Sequence, residues 1–164
     1  MNENLLNVSS SPHIRHRHTT GSIMLNVVLA LMPATAFGIY HFGLHAFFII
    51  AASILAAVAT ELLFNLITKR PNTIKDCSAV VTGLLLALSL SPSVPLYIPV
   101  LGSVFAILFV KCLFGGLGKN FMNPALAGRC FLLLSFGTTM TSFQVDGVTS
   151  ATPLAALSDA FAKA

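Results

Sequence analysis

Charge is what this sequence has least of. Across 164 residues there are nine Lys and Arg and five Asp and Glu, so charged residues make up 9% of the chain, against roughly a quarter in soluble domains. With 55% hydrophobic residues and a mean hydropathy of +0.86, water is excluded as the main solvent for its surface. Tryptophan is absent, and thirteen phenylalanines carry the aromatic surface, read as lipid-facing or packing groups. The three cysteines, Cys77, Cys112 and Cys130, show no C-x-x-C spacing and are read as free thiols rather than metal or cluster ligands. No G-x-G-x-x-G follows a strand, which excludes a dinucleotide fingerprint. The first twenty residues are polar, without the short apolar core and cleavage site of a signal peptide, and none is expected there. The net charge of +4 matters less by its sum than by its placement, and no nucleic-acid partner is expected.

What is present is a series of apolar runs. A bilayer core of about 30 Å takes around 20 apolar residues per helix. Five segments qualify or nearly do: residues 23–40 with Pro33 as an expected kink, 44–68, the short 77–90, 96–114, and the short 124–136. The pattern predicts an all-α integral membrane protein of about five transmembrane or partly spanning helices. Residues 1–22 form a polar arm, 23–137 the helical domain, and 138–164 a loop with a short helix. Three histidines in the arm, His13, His16 and His18, stand beside Arg15 and Arg17 and read as a basic, headgroup-facing stretch rather than a metal site. If all five segments cross, eight of the nine basic residues share one face, Lys69, Lys111, Lys119 and Arg129 among them. Basic residues favour the cytoplasmic side. The amino-terminal arm is therefore expected on the cytoplasmic side of the inner membrane and the carboxyl-terminal tail on the outer side, unless a short segment is re-entrant. Short helices after Gly- or Pro-rich leads also point to binding sites in inverted-repeat membrane folds.

The tail holds the most specific pattern. In residues 146–154, DGVTSATPL, Asp146 and Gly147 suit a turn. Thr152 followed by Pro153 suits a helix N-cap with proline at the first helical position. On that plain reading Thr152 only caps a short helix. The same geometry also suits a phosphate, because helix amino termini favour anions, and Pro153 biases Thr152 towards an extended, outward conformation. DGVTSATPL resembles the flavin-attachment motif of membrane subunits in the Rnf complex and the sodium-pumping NADH:quinone oxidoreductase. SPHIRHRHTTGSIMLNVVLALMPA, KRPNTIKDCSAVVTGLLLALSLSPSVPLYIPVLGSVFAI and KCLFGGLGKNFMNPALAGRCFLL resemble the RnfD family of membrane subunits, in order and with matching spacing. The resemblance implies a fold like the first inverted repeat of a urea transporter, with Thr152 bearing FMN through a phosphodiester and Asp146, Thr149 and Ser150 completing the motif. Ser150 stands where glycine is commoner. Family members are about twice this length, so a second helical repeat is expected to be missing from this stretch.

The resemblance further implies electron relay in a ferredoxin:NAD oxidoreductase coupled to Na+ or H+ movement. Its partners would be the other Rnf subunits, an FMN transferase and the lipid bilayer, and a membrane-embedded riboflavin is open by analogy. Asn120, Asn123 and Arg129, in and after FGGLGKNFMNPALAGR, are candidates to line a flavin or quinone-like pocket; a broken-helix packing element is the alternative. Glu61 is the one acid well inside a span, about 10 Å from its end at the helical rise. Buried charges in membranes usually have a task or a partner. A coupling cation and a basic side chain are the two readings of Glu61, and Asp76 is read as a helix-start residue. Two other function classes stay open: a channel or transporter without a redox role, and a scaffold without a cofactor.

Overall fold

The computed structural model describes residues 19–69, 76–141, 143–145 and 148–150, the last two stretches for their backbone. The tail positions Asp146 and Thr152, residues 1–18 of the amino-terminal arm and the helix expected after Pro153 lie outside the described residues. Helix α1 spans Thr20–Phe42 and starts ahead of the expected residue 23, because the Thr19 hydroxyl accepts from the Ser22 N–H and caps the first turn. The helix runs through Pro33. Gly43, at φ 76°, ends α1 by donating to the Ile39 carbonyl and at once precedes α2, Leu44–Ile67. These two helices have 23 and 24 residues, about 34 and 36 Å at 1.5 Å per residue, enough to cross a bilayer.

Helix α3, Ser78–Leu88, and α5, Pro124–Ser135, have 11 and 12 residues, about 16 and 18 Å, roughly half the bilayer core. Between them α4, Tyr97–Phe105, continues into a π-helical segment, Ala106–Cys112, that sequence periodicity does not separate from one α-helix. The wide turns persist beyond it: the Leu113 N–H reaches the Leu108 carbonyl and the Gly116 N–H the Lys111 carbonyl.

Helix α3 is the centre of the bundle, with Ala79, Val81, Leu84, Leu86 and Ala87 buried against α2, α4 and α5. Small residues allow the close approach. A Cβ on Gly83 would lie 2.9 Å from Ile54 Cα, and one on Gly128 2.9 Å from the Gly102 carbonyl oxygen. Between membrane helices, packing replaces the hydrophobic effect as the driving force, so such contacts matter. Ser53 ties three helices together: its hydroxyl meets the Gly83 carbonyl at 2.7 Å and the Ser103 hydroxyl at 2.9 Å. His45 Nε2 lies 3.1 Å from the Val94 carbonyl and pins the connection before α4.

After α5 a short helix α6, Gly137–Thr141, leads to strands β1, Phe143–Val145, and β2, Val148–Ser150. They pair antiparallel, Phe143 with Ser150, Gln144 with Thr149 and Val145 with Val148. Within the region read as a loop with a short helix, these six residues add a two-stranded ribbon. The body remains an all-α membrane protein, with large apolar side chains such as Leu29, Phe37, Leu55 and Leu66 on its outer surface.

Candidate functional site

The described residues bring charge together in one place inside the helices. Glu61 on α2 is 1% exposed, and Lys111 on the π segment is 3% exposed. Lys111 Nζ donates to Glu61 Oε1 and to the Ser78 hydroxyl, both at 2.7 Å. Three elements converge here because each contributes its end: α2 near its last two turns, α3 at its first residue, and the π segment just before its last. The placement corrects one expectation. By sequence Lys111 groups with the basic residues of a membrane face, whereas it is an interior side chain answering the buried acid. Of the two readings of Glu61, a basic partner is present in this structure.

Beside the pair lies a cavity of about 160 Å³, lined by Glu61, Asn65, Asp76, Ser78 and Lys111 and by the glycines that follow the π segment. Its walls are mostly apolar, Phe64, Cys112 and Leu117 among them, and the polar groups set into them are two carboxylates, one ammonium, an amide and a hydroxyl. Hard oxygen donors of this kind suit small cations. Asp76 stands directly before Cys77, the N-cap of α3 at φ 54°, so it lies at the helix start as its position suggests, and it also lines the cavity. Sequence reasoning also misses Asn65 and Ser78. The available signal is a lysine inside an apolar run, KCLF after FAILFV, with an unmatched acid in another run.

The connection after the π segment turns at Gly115, Gly116 and Gly118, all at positive φ. It then closes on itself. Asn120 Nδ2 donates to the Met122 carbonyl at 3.0 Å, and Asn123 Oδ1 accepts from the Ala125 N–H at 3.0 Å, capping α5 with Pro124 at its first turn. Both asparagines therefore have a structural task. Arg129 is exposed on α5 and is not among the groups lining the Glu61 cavity. Thr149 and Ser150 lie on β2, with Ser150 its last residue. Among the described side chains, Glu61 stands in the cavity, the two asparagines in the loop before α5, and Arg129 on the exposed face of α5.

A family model described as the NQR2, RnfD, RnfE family matches residues 7–164. The chain is 55% identical over 161 residues to an Acetobacterium woodii protein named as the D subunit of a Na(+)-translocating ferredoxin:NAD(+) oxidoreductase complex, covering 96% of this chain and 51% of that one. It is 44% identical to a Clostridium ljungdahlii protein named as the D subunit of a proton-translocating complex of the same kind, covering 94% of this chain and 49% of that one. The D subunit of an ion-translocating oxidoreductase complex from Psychromonas ingrahamii is 46% identical over 137 residues, 82% of this chain and 39% of that one. The chain spans about half the length, or less, of these relatives.

Proposed function

The chain belongs to the NQR2, RnfD, RnfE family, and from that premise we propose that it is a membrane electron-relay subunit carrying FMN on Thr152. The complex it serves is an ion-translocating ferredoxin:NAD oxidoreductase, as the names of its relatives say of theirs. The observation that carries the flavin assignment is the run DGVTSATPL at residues 146–154. A capping hydroxyl alone needs no particular order of Asp146, Thr149, Ser150 and Thr152, whereas an enzyme attaching a cofactor reads a sequence.

The donor chemistry fits an esterified phosphate. Thr152 supplies the hydroxyl, and Ser150 and Ala151 are small enough to leave it accessible to an FMN transferase. The β2 strand, paired to β1, ends at Ser150, two positions before Thr152 in the sequence. Once bound, the flavin accepts and passes one or two electrons, while the protein sets its position and potential. Asn120 and Asn123 each use one end of the amide within their loop; the other end, with Arg129, is the group proposed to meet a flavin ring, riboflavin included. Glu61 is proposed as a ligand of the coupling cation. Subunit partners within the membrane complex complete the electron path, with the tail on the outer side of the cytoplasmic membrane.

A channel or transporter is the second reading, favoured by the cavity beside the buried Glu61–Lys111 pair. The two separate in one experiment. The full-length subunit, produced with an FMN transferase and denatured on a gel, is expected to fluoresce as a flavoprotein and to gain the mass of one phosphate-linked FMN, both lost in Thr152→Val. Fluorescence that survives the substitution rules out attachment at Thr152; a colourless native protein of unmodified mass rules out the flavin assignment.

A further inference from the structure

The Glu61–Lys111 pair calls for a reason beyond stability. Taking two ions out of water costs more than their attraction commonly returns, and apolar residues of similar size often serve a fold as well. Yet both partners are almost fully buried, in a helical membrane body. Three features set this pair apart. It borders a cavity large enough for several waters, taking about 30 Å³ of liquid volume per molecule. Its ammonium sits among oxygen atoms that match a small cation: the Glu61 carboxylate and the Ser78 hydroxyl at 2.7 Å, with the Asp76 carboxylate and the Asn65 amide in the same walls. And Lys111 is carried by a π-helical segment, a rare, wider turn that is frequent at functional sites. Converting such a turn to α geometry shifts the register by one residue, rotating a side chain by about 100°.

We propose that Lys111 is a tethered counter-cation: its ammonium holds the place beside Glu61 that a monovalent metal cation takes when the lysine swings away. This rests on the reading of Glu61 as a cation ligand. Lys111 then determines how tightly the bundle holds the ion and how readily it lets go. Both states keep one positive charge beside the carboxylate, so exchange never leaves Glu61 uncompensated in the membrane interior.

The test is turnover of the assembled complex, containing the full-length subunit, titrated with Na+ at fixed pH and at ionic strength held by choline. Lys111→Met removes the competitor, and the half-saturating Na+ concentration is expected to fall tenfold or more while kcat drops because release slows. Lys111→Arg keeps a charge in place, and its half-saturation is expected to stay or rise. Glu61→Gln is expected to abolish the Na+ dependence. If Glu61→Gln does so but Lys111→Met leaves half-saturation unchanged or higher, Lys111 is structural and this inference fails while the cation reading stands. If the native complex shows no Na+ dependence, or Glu61→Gln leaves it intact, the cation reading fails and takes this one with it. Should Lys111→Met not assemble, the unmodified complex decides. Hydrogen exchange across residues 106–119 is expected to quicken as Na+ rises and the π turns let the lysine go; exchange indifferent to Na+ overturns the inference.

Discussion

Glu61 and Lys111 are each other's buried counter-ion. Removing one member leaves a charge buried without its counter-ion, a loss of about 3–5 kcal/mol, whereas exchanging both for apolar groups of similar volume is often neutral or better. Glu61→Leu is therefore expected to lower the thermal midpoint of the detergent-purified full-length protein sharply. The double variant Glu61→Leu/Lys111→Met is expected to recover most of that loss. A double variant no more stable than the single one would mean that the pair is not an isolated electrostatic unit. Half of this arrangement is legible in the sequence. An acid in the middle of an apolar run has few innocent explanations, so Glu61 stands out. Lys111 does not, because it lies 50 residues away and near the end of its own run, where a lysine ordinarily reaches for the membrane surface. Which of the two it does depends on how α2 and the π segment are packed, and no local pattern contains that.

At the level of the helices, hydropathy locates every apolar segment because lipid imposes a simple demand: backbone groups must be paired internally, and side chains must be apolar. Hence α1, α2, α3 and α5 fall within a few residues of their expected bounds. The π segment is invisible because α and π turns make the same demand of a sequence and differ only in register. The β1–β2 ribbon escapes for a different reason: strands of three residues offer too little alternation to read. Packing between helices yields its own contrast. In α3, a Cβ on Gly83 would meet Ile54 Cα at 2.9 Å and the Ser53 carbonyl oxygen at 3.0 Å, backbone atoms that cannot move without shifting α2. Gly83→Ala is expected to cost about 1–3 kcal/mol, the usual range for overpacking. Gly38 in α1 has nothing within 4 Å of the same position, and Gly38→Ala is expected to be neutral or stabilising by up to about 1 kcal/mol, since glycine is the poorer helix former. Thermal unfolding of the two variants side by side checks both; equal midpoints would show that α2 and α3 are not in the contact described.

For the molecule as a whole, the decisive question is which side of the bilayer the tail occupies, because the proposed flavin on Thr152 would be useful only on the side of its electron partners. The basic residues argue for an outer tail: they cluster in alternate connections, and moving Lys111 into the interior leaves that asymmetry standing. Against it stands the length of α3 and α5, each roughly half a bilayer. A half-helix crosses only when its continuation completes the path through protein-lined space. For α3 the continuation is present: the link to α4 is pinned by His45, on the first turn of α2, so the end of α3 is brought to the α1–α2 connection, opposite the end of α2 that carries Lys69. That geometry carries the chain from one end of α2 to the other. Helix α5, packed along α4 and the π segment, is read as making the last passage back. In a full-length protein stripped of native thiols, a cysteine at position 147 is therefore expected to react with a membrane-impermeant maleimide in intact cells, and cysteines at 69 and 119 only after the membrane is opened. Labelling of 147 only after opening, with 69 and 119 unchanged, would place a re-entrant turn at α5 and put the proposed flavin site on the inner face.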